Sequence, residues 1–149
     1  MRVNIGIRPI HLCDNHLIAE HVELLFVPGI LLKRDFKIIN KIPEQFSLGI
    51  GHISFFYNKI LYLKNRLNCV CEEMKRRGFK TSSTINVDMF PKILCNNWNP
   101  TINDSMIIRN RIEEKMLRKP FKFWRYERKY VANIQNFIYN IKNSSLNKY

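Results

Sequence analysis

The 149-residue sequence predicts an all-α fold, and three observations carry that expectation. Apolar residues recur at helical spacing over 52–77, at Phe55, Phe56, Ile60, Leu63, Leu67, Val70, Cys71 and Met74. A second such run, 105–119, opens after a capping residue and ends on Pro120. The sequence shows neither the period-2 alternation of a half-buried strand nor an internal repeat or a glycine-rich phosphate loop. With 46% hydrophobic and 12% aromatic residues the chain has the material for a core, and its length suits one compact domain.

In chain order, residues 1–13 read as an extended arm, because Gly6 and Pro9 interrupt regular structure. Asp14 is a good N-cap, and Leu17, Ile18, Leu24 and Leu25 form an apolar stripe, so a helix is expected to open at Asn15. Pro28 and Gly29 are expected to kink or end it. Residues 34–51, with Pro43, Gly49 and Gly51, read as a loop. The helix over 52–77 stops at Gly78 in the C′ manner. Residues 80–101, with Pro91, Pro100 and the run Asn96-Asn97-Trp98-Asn99, form a long irregular connection. Asp104 caps the third helix, 105–119, which turns Ile108, Ile112 and Met116 inward and Arg109, Arg111 and Lys115 outward. A weaker helix, 127–141, uses Val131, Ile134, Ile138 and Ile141, and 143–149 is a frayed tail.

Charge narrows the function. Lys and Arg number 25 against 12 Asp and Glu, a formal +13, and a core-forming composition excludes a chain that merely coats polyanions. The excess is uneven: 14 basic against 9 acidic residues up to Met106, then 11 against 3. In the C-terminal third, basic residues interleave with aromatics from Lys119 to Tyr126, a pattern suited to neutralising phosphates and stacking on bases. Pro120 argues against the clean amphipathic helix that a membrane surface would want, and a plain solvated basic face is the bland alternative. No run of 18 uncharged apolar residues and no secretory leader pattern is present, so the expected setting is soluble and intracellular. Cys13, Cys69, Cys71 and Cys95 lack zinc spacing and are expected to be reduced and mostly buried.

Candidate chemistry concentrates on the first helix. His16, Glu20 and Glu23, at i, i+4 and i+7, share one face. Carboxylates repel a polyanionic partner, so they either act on it or pair with nearby Arg or Lys. Metal ligation by His16 and Glu20 lacks a third ligand. The sequence holds no nucleophile elbow, Ser/His/Asp order or Walker motif. One nucleophile remains, the α-amino group, with an ordinary pKa of about 7.7–8.0, able to form a Schiff base at a sugar carbon.

At these residues the chain resembles the phage endonuclease V type of pyrimidine-dimer DNA glycosylase with associated apurinic/apyrimidinic lyase activity. The resemblance rests on Arg2-Val3-Asn4-Ile5, on residues 14–24, on Arg34-Asp35-Phe36-Lys37-Ile38, and on residues 48–59 continuing to Arg77-Gly78-Phe79. Arg111-Ile112-Glu113-Glu114-Lys115 and the aromatic cluster from Pro120 to Tyr126 extend it. It covers residues 1–126, leaving 127–149 as a basic C-terminal extension.

The resemblance implies a compact three-helix domain with the N-terminal arm threaded between helices. It implies a cofactor-free monomer acting on damaged double-stranded DNA, which it kinks while extruding a base. The nucleophile it implies is the α-amino group of Met1, retained because Arg2 is too large to permit Met removal, with Glu23 assisting glycosidic cleavage and β-elimination. Implied DNA contacts are Arg2, His16, Arg111, Lys115, Phe123, Trp124, Arg125 and Tyr126. The chain departs from the family pattern at Val22 and Phe26, where arginines flank the glutamate, and at Leu67, where a glutamine stands. Losing two cations at the lesion leaves a second reading open, a non-catalytic or lyase-only damaged-DNA binding protein that kept the fold.

Overall fold

The computed structural model describes residues 3–118, 123–124, 129–130 and 134–144, and the side chains of 3–118 and 135–144. Its helices are α1 (Asp14–Lys33), a single turn α2 (His52–Phe55), α3 (Ile60–Arg76), α4 (Ile102–Arg118) and α5 (Ile134–Lys142). Two-residue strands β1 (Phe123–Trp124) and β2 (Lys129–Tyr130) pair antiparallel, Phe123 opposite Tyr130. The class is all-α, as the periodicity indicates.

Helix α1 begins one residue earlier than the sequence suggests. Cys13 is at the N-cap and Asp14 sits in the first turn, where its carboxylate takes a 3.0 Å bond from Arg77 Nη1. Pro28 lies inside the helix, which continues to Lys33. A proline in a helix interior costs about 3 kcal/mol. Val27 and Leu31, on either side of it, are both 0% exposed. Burying two such side chains returns roughly 1.5–3 kcal/mol each, so packing holds the two halves in line.

The helix expected over 52–77 is two. At the break, the Asn58 carbonyl accepts from Asn96 N at 3.3 Å and Nδ2 at 2.9 Å, and Lys59 bridges Cys95 antiparallel. A continuous helix would use that carbonyl internally and would exclude the 95–96 segment. The same break seats an aromatic cluster in which Trp98 meets Phe55 at 4.9 Å, Tyr62 at 5.1 Å and Phe46 at 5.8 Å between ring centroids. The apolar positions read from 55 to 74 are all buried. Helix α3 ends as expected in a Schellman motif: Gly78 takes φ +85°, its N–H bonds to the Lys75 carbonyl, and Phe79 N–H bonds to that of Met74.

Helix α4 is capped by Thr101, not Asp104. Asp104 N donates to Thr101 Oγ1 and Thr101 N donates to Asp104 Oδ2, a reciprocal box that starts the helix at Ile102. Ile108, Ile112 and Met116 are buried, but Arg109 turns inward, donating to the carbonyls of Lys142, Ser144 and Gly6. It thereby fixes α5, whose Phe137, Ile138 and Ile141 are buried. The last helix thus starts at Ile134 rather than 127, and Lys129–Tyr130 is strand. Of the tail expected to fray, Ser144 is held, 3% exposed with its hydroxyl accepting from Arg8 N at 3.1 Å, while 145–149 lie outside the described residues.

Residues 3–7 of the N-terminal arm are all buried. Val3, Ile5 and Ile7 are fully buried, and Gly6 crosses α4 so closely that a Cβ on it would lie 2.4 Å from Ser105 Cβ. The arm threads between α4 on one side and α1 and α3 on the other.

Candidate active site

The centre of the molecule is a charge cluster that sequence spacing alone does not reveal. Glu20, on α1, is 0% exposed and its carboxylate accepts four bonds. Arg66 Nε reaches Oε1 at 2.7 Å and Nη2 reaches Oε2 at 2.9 Å. From the arm, Asn4 N donates to Oε1 and Asn4 Nδ2 to Oε2, both at 2.9 Å. Arg66 Nη1 completes the clamp by donating to the Ile7 carbonyl at 2.7 Å. Burial works against the Arg66 charge, yet the adjacent Glu20 carboxylate outweighs it and raises the guanidinium pKa above its ordinary value. Glu20 is therefore the structural member of the acidic pair. A second cluster anchors the start of α1: Arg77 bonds Asp14, Glu73 and the Pro9 carbonyl.

Glu23 follows one turn along α1. It is half-buried, with Oε2 shielded from solvent. His16, on the same face, is 8% exposed and offers little surface for a phosphate. Arg111 and Lys115 stand one turn apart on α4, and Arg111 makes a loose 3.6 Å pair with exposed Glu114. Strand β1 runs beside α1, which brings the Phe123–Trp124 backbone to the helix carrying Glu23. Met1, Arg2, Arg125 and Tyr126 lie outside the described residues, as do the side chains of Phe123 and Trp124.

Two residues of the clamp escaped sequence reading. Asn4 has no local signal. Arg66 has one: it falls three residues after Leu63 and four before Val70, a charge on an otherwise apolar stripe, and such a charge requires a buried partner. The outer face of α1 is also unusual. Ile18, expected in the core stripe, is 40% exposed, and Val22 and Phe26 are 59% and 52% exposed. The helix is long and apolar enough to cross a membrane, but Asp14 and Glu20 fix it by ion pairs within the helix packing.

A family model of pyrimidine dimer DNA glycosylases matches residues 2–87, more than half of the chain. The chain belongs to the pyrimidine dimer DNA glycosylase family. This is a family of DNA-repair enzymes, and the matched span contains the arm, α1, α2 and α3, hence Asn4, Glu20, Glu23 and Arg66. Helix α4, the hairpin and α5 lie beyond it.

Proposed function

We propose that this glycosylase excises ultraviolet-induced pyrimidine dimers from duplex DNA by covalent catalysis through its N-terminal amine. The observation that carries the reading is the Glu20 clamp on Asn4. Only three residues, of contour about 10 Å, separate Asn4 from the α-amino group, and Glu23 is one helical turn, about 5 Å, from Glu20. In this reading the Glu20–Arg66 pair, by holding Asn4, keeps the N-terminal amine within chain reach of the Glu23 carboxylate.

The chemistry follows. Near pH 7 an amine with a pKa of about 7.7–8.0 keeps a useful neutral fraction, and that form attacks C1′ of the damaged nucleotide. The glycosidic bond breaks, the sugar opens and an imine forms. Loss of a C2′ proton expels the 3′ phosphate, and water then releases the protein. Glu23 serves as general acid/base and stabilises the cationic imine. Arg2, His16, Arg111, Lys115 and the segment Phe123 to Tyr126 act as DNA contacts, with His16 requiring a local opening. Residues 1–126 form the working domain, on which α5 is packed as a brace. The chemistry needs no cofactor, and one protein molecule suffices for one lesion.

A duplex with one cyclobutane dimer tests this: the protein nicks at the dimer, and Glu23→Gln binds it but cuts far less. Unchanged scission in Glu23→Gln contradicts the role given to Glu23. One observation favours the lyase-only reading, the exposed Val22 and Phe26 in place of cations. Cutting of an abasic duplex with none of the dimer duplex would decide for it.

A further inference from the structure

Resting on the reading that Glu23 faces damaged DNA, the geometry points to the outer face of α1 as an apolar wedge that enters the base stack at the lesion, with Phe26 as the inserted ring. Ile18, Val22 and Phe26 recur at i, i+4 and i+8 and are 40%, 59% and 52% exposed. They form a stripe about 12 Å long at 1.5 Å per residue. Phe26 is three residues from Glu23 and so lies beside it on the helix surface.

Charge decides what this stripe meets. Between Arg8 and Lys33 the chain has no Lys or Arg, so α1 itself brings to this face no cation for DNA phosphates or anionic lipid headgroups. Its area, on the order of 300 Å² for three half-exposed side chains, falls short of the roughly 800 Å² per partner of a stable interface between copies. The uncharged part of DNA is its bases. Apolar side chains inserted between base steps unstack and kink a duplex, and damaged steps resist least. The wedge therefore selects by weak stacking, where a cationic flank would select by phosphate attraction.

The test uses the full-length protein and duplexes containing a tetrahydrofuran abasic analogue, which cannot be cut through an imine, with 2-aminopurine beside it. Wild type is expected to raise 2-aminopurine fluorescence on binding. Phe26→Ala is expected to lose most of that rise and about ten-fold or more in affinity for the analogue duplex. Affinity for undamaged duplex and the slope of log Kd against log salt stay as in wild type, because no phosphate contact is lost. Phe26→Leu retains part of the signal. Thermal unfolding checks that these exposed-site variants fold. An undiminished fluorescence rise in Phe26→Ala overturns the wedge, as does an equal affinity loss on undamaged duplex. Self-association or binding to anionic vesicles that Phe26→Ala abolishes overturns it too. A wild type that cuts dimers but leaves 2-aminopurine stacked refutes the wedge alone, whereas no preference for damaged duplex refutes the functional reading as well.

Discussion

Replacing Glu20 by Gln changes one oxygen to an amide and is the sharpest probe of the clamp. Each carboxylate oxygen accepts one bond from Asn4 and one from Arg66. Whichever way the Gln amide turns, its NH₂ faces two donors, and the Arg66 charge, 0% exposed, loses its counter-ion. Removing one partner of a buried ion pair costs roughly 3–5 kcal/mol. Against a total stability of about 5–15 kcal/mol that is a large fraction. For a chain of this size each kcal/mol shifts Tm by about 2–4 °C, so the midpoint falls by roughly 6–20 °C. Urea unfolding followed by circular dichroism reads the change. A double variant, Glu20→Gln with Arg66→Met, removes the stranded charge and is expected to be more stable than Glu20→Gln alone. A loss below about 1 kcal/mol in the single variant, within the range of an ordinary hydrogen bond, would mean that Arg66 is not held by a buried counter-ion.

Three further outcomes follow from the packing. Gly6→Ala adds a Cβ 2.4 Å from Ser105 Cβ at a φ of +67°, so urea unfolding is expected to show a loss of about 2–4 kcal/mol, with partial recovery by Ser105→Gly. Trp98→Ala empties the aromatic cluster and is expected to cost about 3–5 kcal/mol by the same assay. Burial lowers the Lys59 pKa from 10.5 to about 8. The folded state thus disfavours the ammonium, so the penalty is complete below pH 8 and is relieved as pH rises from 8 toward 10.5. The urea midpoint of wild type relative to Lys59→Met is therefore expected to rise over that window, and a flat difference would contradict it.

Helices whose apolar faces are unbroken were legible in the sequence. Ile108, Ile112 and Met116 on α4, the stripe from Ile60 to Met74 and the stop at Gly78 needed only periodicity and capping rules. What was not legible depends on distant partners. The break before α3 is made by Asn96, 38 residues away, and Pro28 is tolerated because Val27 and Leu31 find a core. Arg109 resembled a solvent-facing cation until the carbonyls of Lys142 and Ser144 came within its reach. In the candidate site, the proposal for Glu23 comes from its helix position and from family likeness, and the structure adds its half-buried place on α1. Glu20 was ambiguous between chemistry and pairing, and only Arg66, 46 residues away, assigns it to pairing.

The most direct test of the central claim is borohydride trapping of the full-length protein on an abasic duplex and on a dimer duplex, with the adduct mapped by mass spectrometry. A covalent adduct with each is expected, carried on the α-amino group of Met1. An adduct on a lysine such as Lys59, or none with either duplex, would contradict it.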